Sequence, residues 1–135
     1  KTMFFAWLYN PDSPDLKTNH YDRKKVLDRY YDGEYITTVF GRNIKVSDWK
    51  ALNYLIQSTT ADLVIERAIE IDKMLEGKKT FISHIVHDEI VIDFADEDRD
   101  MIKEIKEAFA INRLGRFEVN LKAGPNYYDL DNLVL

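Results

Sequence analysis

The sequence predicts an α+β domain, a small antiparallel sheet with helices packed on one face. Three observations carry that expectation. A long run with helical spacing of apolar residues extends from about residue 48 to 76, closed by Gly77. Two short runs rich in β-branched and aromatic residues, Phe81–Val86 and Ile90–Phe94, are separated by three residues and read as a hairpin. A second helical run then starts at Asp96-Glu97-Asp98. The 135 residues suffice for one domain with a modest core, and 45% hydrophobic with 32% charged residues is ordinary for a globular protein.

The elements follow in order. Lys1–Asn10 is apolar and aromatic, with Lys1, Phe5 and Tyr9 at i, i+4 and i+8, so a helix there puts all three on one face. Pro11-Asp12-Ser13-Pro14-Asp15 breaks it. Tyr21–Tyr31 reads as a short helix with Gly33 as C-cap candidate, and Tyr35–Phe40 and Ile44–Val46 flank Gly41-Arg42-Asn43 as a small hairpin. Ser47 or Asp48 caps the long helix, whose Leu52, Leu55, Ile56, Leu63, Ala68, Ile69, Ile71, Met74 and Leu75 form one broad core stripe. After the 80–94 hairpin, the three acids at Asp96 suit the positive end of a helix reaching about Asn112, and they read as capping and solvation rather than metal ligands. Phe117–Leu121 reads as a final strand, and Asn126–Leu130 begins a tail.

Composition limits function. No segment has the length of a membrane span or the pattern of a signal peptide. The absence of cysteine excludes disulfides and thiolate metal sites and fits a reducing compartment, so a cytoplasmic setting and no membrane partner are expected. A net charge of −5 argues against an autonomous nucleic-acid binder; any contact with DNA would use a local patch or a more basic partner.

The most informative segment is Ile85-Val86-His87-Asp88-Glu89-Ile90, which sets two adjacent carboxylates at a hairpin tip. Alone, the pair is better explained by turn solvation than by catalysis. Three further segments change its weight. Lys1-Thr2-Met3-Phe4-Phe5-Ala6-Trp7-Leu8-Tyr9 resembles most of the nucleotide-binding helix of family A DNA polymerases, the bacterial polymerase I and podophage group. Ala51-Leu52-Asn53-Tyr54-Leu55-Ile56-Gln57-Ser58 resembles the start of that family's long palm helix. Val86-His87-Asp88-Glu89 matches its third polymerase motif, and Gly124-Pro125-Asn126-Tyr127-Tyr128 resembles its closing segment. The four occur in the family's order and cover nearly the whole chain, thinly between Asn10 and Phe40.

The resemblance implies a partial fingers segment over 1–46, with the nucleotide-binding helix, a short helix and a small hairpin. Residues 47–135 would be the C-terminal part of a palm, its small antiparallel sheet packed against long helices. The implied reaction is template-directed nucleotidyl transfer from a dNTP to a primer 3′-OH at two Mg²⁺ ions, with Mn²⁺ as a substitute. Mg²⁺ takes hard oxygen ligands, one or two of them carboxylates. On this reading Asp88 ligates metal, Glu89 is a supporting carboxylate and His87 faces the primer terminus. Lys1 meets the triphosphate, neutralising the leaving group and able to donate a proton. Phe5 stacks near the incoming sugar and base, where an aromatic without a hydroxyl tends to exclude dideoxynucleotides, and Tyr9 lies by the templating base. Asn53 and Gln57, one helical turn apart, suit minor-groove acceptors common to every base pair; Arg42 would reach a backbone phosphate.

Departures from the family shape the expectation. Asn10 and Ala6 stand where glycines are usual, and the stretch from Tyr9 to Gln57 is short. The first motif, with the other metal-binding Asp, is not in this sequence, nor is the Arg expected four residues before Lys1. The chain is therefore expected to be inactive alone and to work with the remainder of the polymerase, primer–template DNA and dNTP. Two alternatives stand beside this. One is a non-catalytic structural or DNA-binding remnant. The other is an unrelated metal-dependent phosphoesterase using Asp88, Glu89 and His84 or His87, for which the sequence supplies no convincing ligand set.

Overall fold

The computed structural model describes Leu8 and residues 22–135, and over these the chain is α+β: three α-helices and small antiparallel two-stranded sheets. Contacts divide the chain into two compact units, Lys1–Asp62 and Leu63–Leu135. The division falls inside the long helix; the boundary expected from the resemblance, 46/47, lies at that helix's foot.

In the first unit, α1 (Arg23–Tyr30) starts where the Asp22 carboxylate accepts from the Lys25 amide at 3.1 Å, satisfying one of the orphan donors of the first turn. The helix ends at Tyr31, whose N–H reaches the Leu27 carbonyl, so Gly33 is not its C-cap. Gly33 instead sits at φ 101° in the reversal that follows. Asp32 builds that reversal: its Oδ1 accepts from the amides of Glu34 (2.9 Å) and Tyr35 (2.6 Å). The Tyr35 hydrogen bond, foremost, holds the Asp32 carboxyl below its ordinary pKa.

The chain then enters β1 (Tyr35–Thr37), shorter than the sequence suggests, paired antiparallel with β2 (Asn43–Lys45), which starts one residue earlier than expected. Ile36 points inward and is fully buried with Ala51 and Leu52, joined by Leu8, Leu27, Val46 and Leu55. Helix α2 (Asp48–Met74) follows. Its buried positions do not form the single stripe read from sequence. Ala51, Leu52 and Leu55 are buried in the first unit; Val64, Ala68 and Ile71, with Leu75 just past the helix end, repeat at i, i+4, i+7 and i+11 in the second, out of phase with the first set. Ile69, expected in the core, is half exposed.

In the second unit, β3 (Phe81–Val86) and β4 (Glu89–Asp93) form the expected hairpin. Ile82, Ile90, Ile92 and Phe94 pack with Met101, Ala108 and Phe109 against Ile71, Leu75 and Ile105. The acidic run opens a 3₁₀ helix (Asp96–Met101) that passes into α3 (Ile102–Ala110). Asp98 is not a solvated cap, contrary to the sequence reading. It is buried, and its Oδ2 accepts from the amides of Lys79 (3.1 Å) and Thr80 (2.9 Å), while Thr80 Oγ1 accepts from the Ala95 amide at 3.0 Å. The two side chains thus close the foot of the hairpin onto the start of the 3₁₀ helix. The Thr80 amide is the first cause of an Asp98 carboxyl held below its ordinary range.

The C-terminal region differs most from expectation. Helix α3 stops at Ala110, and a short hairpin of β5 (Ile111–Asn112) and β6 (Gly115–Arg116) follows, with Leu114-Gly115 in its turn and first strand end. Asn112 Oδ1 accepts from the Leu114 amide at 2.9 Å, which drives the turn. Phe117–Leu121 is not a strand; only Lys122–Ala123 (β7) pairs, with Asp131–Asn132 (β8). Residues 124–130 are therefore a closed loop rather than a loose tail.

Candidate functional site

The β3–β4 hairpin pairs Val86 with Glu89, leaving His87 and Asp88 as a two-residue turn. Two-residue hairpin turns need positive φ at their first central residue to match strand twist. His87 supplies it at φ 55°, the one non-glycine with positive φ among the described residues. The left-handed region costs a residue with a Cβ about 1–2 kcal/mol. The turn therefore holds a strained backbone at the segment that the sequence singled out, a correlation common at functional sites.

Asp88 is exposed and makes no hydrogen bond or ion pair among the described residues. Glu89 is exposed too, but Tyr127 Oη donates to its Oε2 at 3.4 Å. His87 is exposed, and its side chain makes no hydrogen bond among the described residues. His84 lies on the same hairpin with its ring 5.8 Å from that of Tyr127, and Ser83 Oγ is 3.0 Å from His84 Nδ1. The turn thus gathers His87, Asp88 and Glu89 as side chains that nothing else in the unit engages, apart from one tyrosine hydroxyl.

As a metal site the donor set is partial. Asp88 offers hard carboxylate oxygen of the kind Mg²⁺ takes, with Glu89 next to it. Among the described residues no three His, Asp or Glu side chains gather as a metal-binding group. Among the described residues the hairpin thus offers one or two carboxylate ligands.

In the first unit, Asn53 and Gln57 do share one helix face. They bond to each other, Gln57 Nε2 donating to Asn53 Oδ1 at 3.0 Å, which leaves an Asn53 amide donor and the Gln57 carbonyl outward. Arg42 is engaged within the protein. Its guanidinium pairs with Asp62 at 2.9 Å and donates to the Ser58 carbonyl at 3.1 Å, while Thr38 Oγ1 donates to Asp62 Oδ2 at 2.9 Å. Arg42 thus ties the β1–β2 loop to α2, with half its side chain still in solvent. Lys1, Phe5 and Tyr9 lie outside the described residues. Sequence reading missed Asp98 and Asp62, whose acids look like any surface acid until their partners are known, and gave Tyr127 no role of its own.

No helix among the described residues is long and apolar enough to cross a membrane. Comparison with known proteins finds no matching family model, no similar curated protein and no similar solved structure.

Proposed function

We propose that this chain supplies the C-terminal catalytic hairpin of a template-directed DNA polymerase of the family A type, with the remaining metal-binding carboxylate on the rest of the polymerase. The observation that carries the reading is the turn itself. A non-glycine residue in left-handed conformation holds His87-Asp88-Glu89 at the tip of a strand pair packed on the core, with Asp88 free of partners among the described residues. A structural turn would relieve that strain with Gly or Asn.

In this reading Asp88 donates carboxylate oxygen to Mg²⁺, or Mn²⁺ in its place, and Glu89 supports it. The two ions, when bound, stabilise the attacking and leaving oxygens of nucleotidyl transfer. His87 faces the primer terminus, Asn53 and Gln57 offer their outward donor and acceptor to the minor groove, and Lys1, Phe5 and Tyr9 meet the dNTP. The acidic net charge is offset by the partner portion, which carries most of the DNA cleft, and the assembly works in the cytoplasm. A single ligating Asp leaves the chain inactive by itself.

Primer extension tests this. The chain is mixed with a polymerase portion carrying the first motif, with primer–template, dNTPs and Mg²⁺. Extension that requires both pieces and vanishes with Asp88→Ala is expected. Failure to extend in any mixture would favour a non-catalytic remnant. Tight stoichiometric Mn²⁺ binding by the isolated chain would favour a self-contained phosphoesterase.

A further inference from the structure

The hairpin carries a sheet irregularity between Ile82 and His84, where Ser83 is the extra residue. Its effect can be read from the register. Ile82 pairs with Ile92, and both join the core. His84 pairs with Val91, one residue along β4, so it faces the opposite side. Without the bulge, Ile82 and His84 would point the same way. The extra residue turns His84 onto the face shared by Val86 and Glu89, away from the core.

That face meets the loop 124–130. Three features shape the loop. Strands β7 and β8 close its ends, with Leu133 N–H donating to the Leu121 carbonyl at 2.9 Å just outside them. Asn126 Oδ1 accepts from the amides of Tyr128 (2.9 Å) and Asp129 (3.0 Å), and its Nδ2 donates to Asp129 Oδ2 at 2.9 Å. At Gly124 any Cβ would collide with the Asp129 carbonyl oxygen, so only glycine lets the loop close. The result presents the Tyr127 ring to His84 and its hydroxyl to Glu89.

We infer that Tyr127 is a positioning residue for the catalytic hairpin. Its ring rests on His84 and its hydroxyl orients the Glu89 carboxylate, so the closing loop sets the acid beside the Asp88 metal ligand. The Ser83 bulge and Gly124 are what bring the two segments into register. At 3.4 Å the O–H···O contact is long, so it aims the carboxylate rather than locking it. This assignment rests on the polymerase reading for its consequence in catalysis, but the contact itself does not.

The test is a double-mutant cycle in the assembled enzyme, chain plus the portion carrying the first motif, read by single-turnover primer extension. Tyr127→Phe keeps the ring and removes the hydroxyl. It should lower kcat about fivefold, the worth of a modest hydrogen bond, with KM for dNTP unchanged. In a Glu89→Ala background the same change should cost nothing further. An unaltered kcat, or a loss that adds to that of Glu89→Ala, overturns the proposal. If the wild-type assembly does not extend at all, the polymerase reading fails instead, and the contact is then decided on the chain alone. Carboxyl carbon NMR should show the Glu89 side-chain resonance moving on Tyr127→Phe while that of Glu118 stays; an unmoved Glu89 resonance overturns the assignment.

Discussion

The β1–β2 hairpin of the first unit and the longer β3–β4 hairpin of the second use their polar side chains in opposite ways. The β1–β2 loop turns its polar groups inward. Thr38 and Arg42 both meet Asp62, and Arg42 also reaches the Ser58 carbonyl. The β3–β4 turn leaves the His87 and Asp88 side chains without partners among the described residues and carries an unfavourable backbone angle at His87. The first pattern is that of a structural tie; the second leaves its polar groups in solvent among the described residues. Charge separates the regions as well. Residues 63–135 carry ten Lys and Arg against sixteen Asp and Glu, whereas residues 1–62 carry nine against eight. The entire net negative charge thus lies with the carboxylate turn, and a polyanion approaching it needs metal ions or a basic partner surface.

Substitutions at the two hairpins should divide accordingly. The largest effect is expected at Asp88. On the proposed polymerase reading, Asp88→Ala should reduce primer extension by the assembled enzyme about 10³-fold, because several kcal/mol of charge stabilisation would depend on that carboxylate as a metal ligand. Thermal unfolding should barely change, since the side chain removed is exposed and has no partner among the described residues. A fall in melting temperature matching the loss of activity would erase the contrast between the hairpins.

Asp62→Ala should do the reverse. It leaves the buried Thr38 hydroxyl and the Arg42 guanidinium without their acceptor, and should destabilise the chain by about 1–3 kcal/mol in denaturant unfolding. Arg42→Ala, losing a partly exposed pair, should cost about 1 kcal/mol or less. If the chain binds DNA as proposed, Arg42→Ala should keep the wild-type dependence of that binding on salt. A salt slope reduced by about one would instead assign Arg42 to a phosphate contact.

At the foot of the β3–β4 hairpin, Thr80→Val should cost about 1–2 kcal/mol, since the Ala95 amide loses its acceptor at a buried position. Asp98 adds a pH signature. Its folded pKa lies below the unfolded value, so its stabilisation is complete above the ordinary Asp value near 3.8 and is lost as pH falls through the lower folded pKa. Asp32, Glu97 and Glu107 contribute with the same sign, Glu97 chiefly through Lys79 and Glu107 chiefly through Arg116. Acid unfolding monitored below about pH 4 should be shallower in Asp98→Asn than in the wild type.

The smallest expected effect is the most diagnostic. His87→Gly relieves the left-handed strain but adds backbone entropy to the unfolded chain, for a net gain of about 0.5 kcal/mol. Stability should rise slightly while primer extension falls. If both fall together, the turn is merely structural.

Much of the architecture was legible in the sequence because it rests on local chemistry. Asp22 before a helical run, Gly77 after one and the apolar runs around His87-Asp88 state their own conformations through hydrogen-bonding groups only a few residues apart. Phe117–Leu121 was misread because its alternation of apolar and polar residues is that of a strand, yet only its ends bond to other backbone, Phe117 N–H to the Ala110 carbonyl and the Leu121 carbonyl to the Leu133 N–H, and no strand forms. The long helix misled in another way: its apolar residues serve two cores in different registers, so a summed pattern resembles one broad stripe.

What the sequence by itself determined is therefore the α+β order of elements and the position of the carboxylate turn, since propensity, capping and periodicity act over one or two turns of chain. Only the tertiary structure decided which acids are internal and which are free. Asp62, Asp98 and Asp88 are the same side chain. Asp62 meets Thr38 24 residues away, Asp98 meets Thr80 18 residues away, and Asp88 meets nothing among the described residues. The approach of Tyr127 to Glu89 across 38 residues is of the same kind. Such contacts depend on the register of a bulged strand and the closure of a glycine loop, which no local pattern encodes.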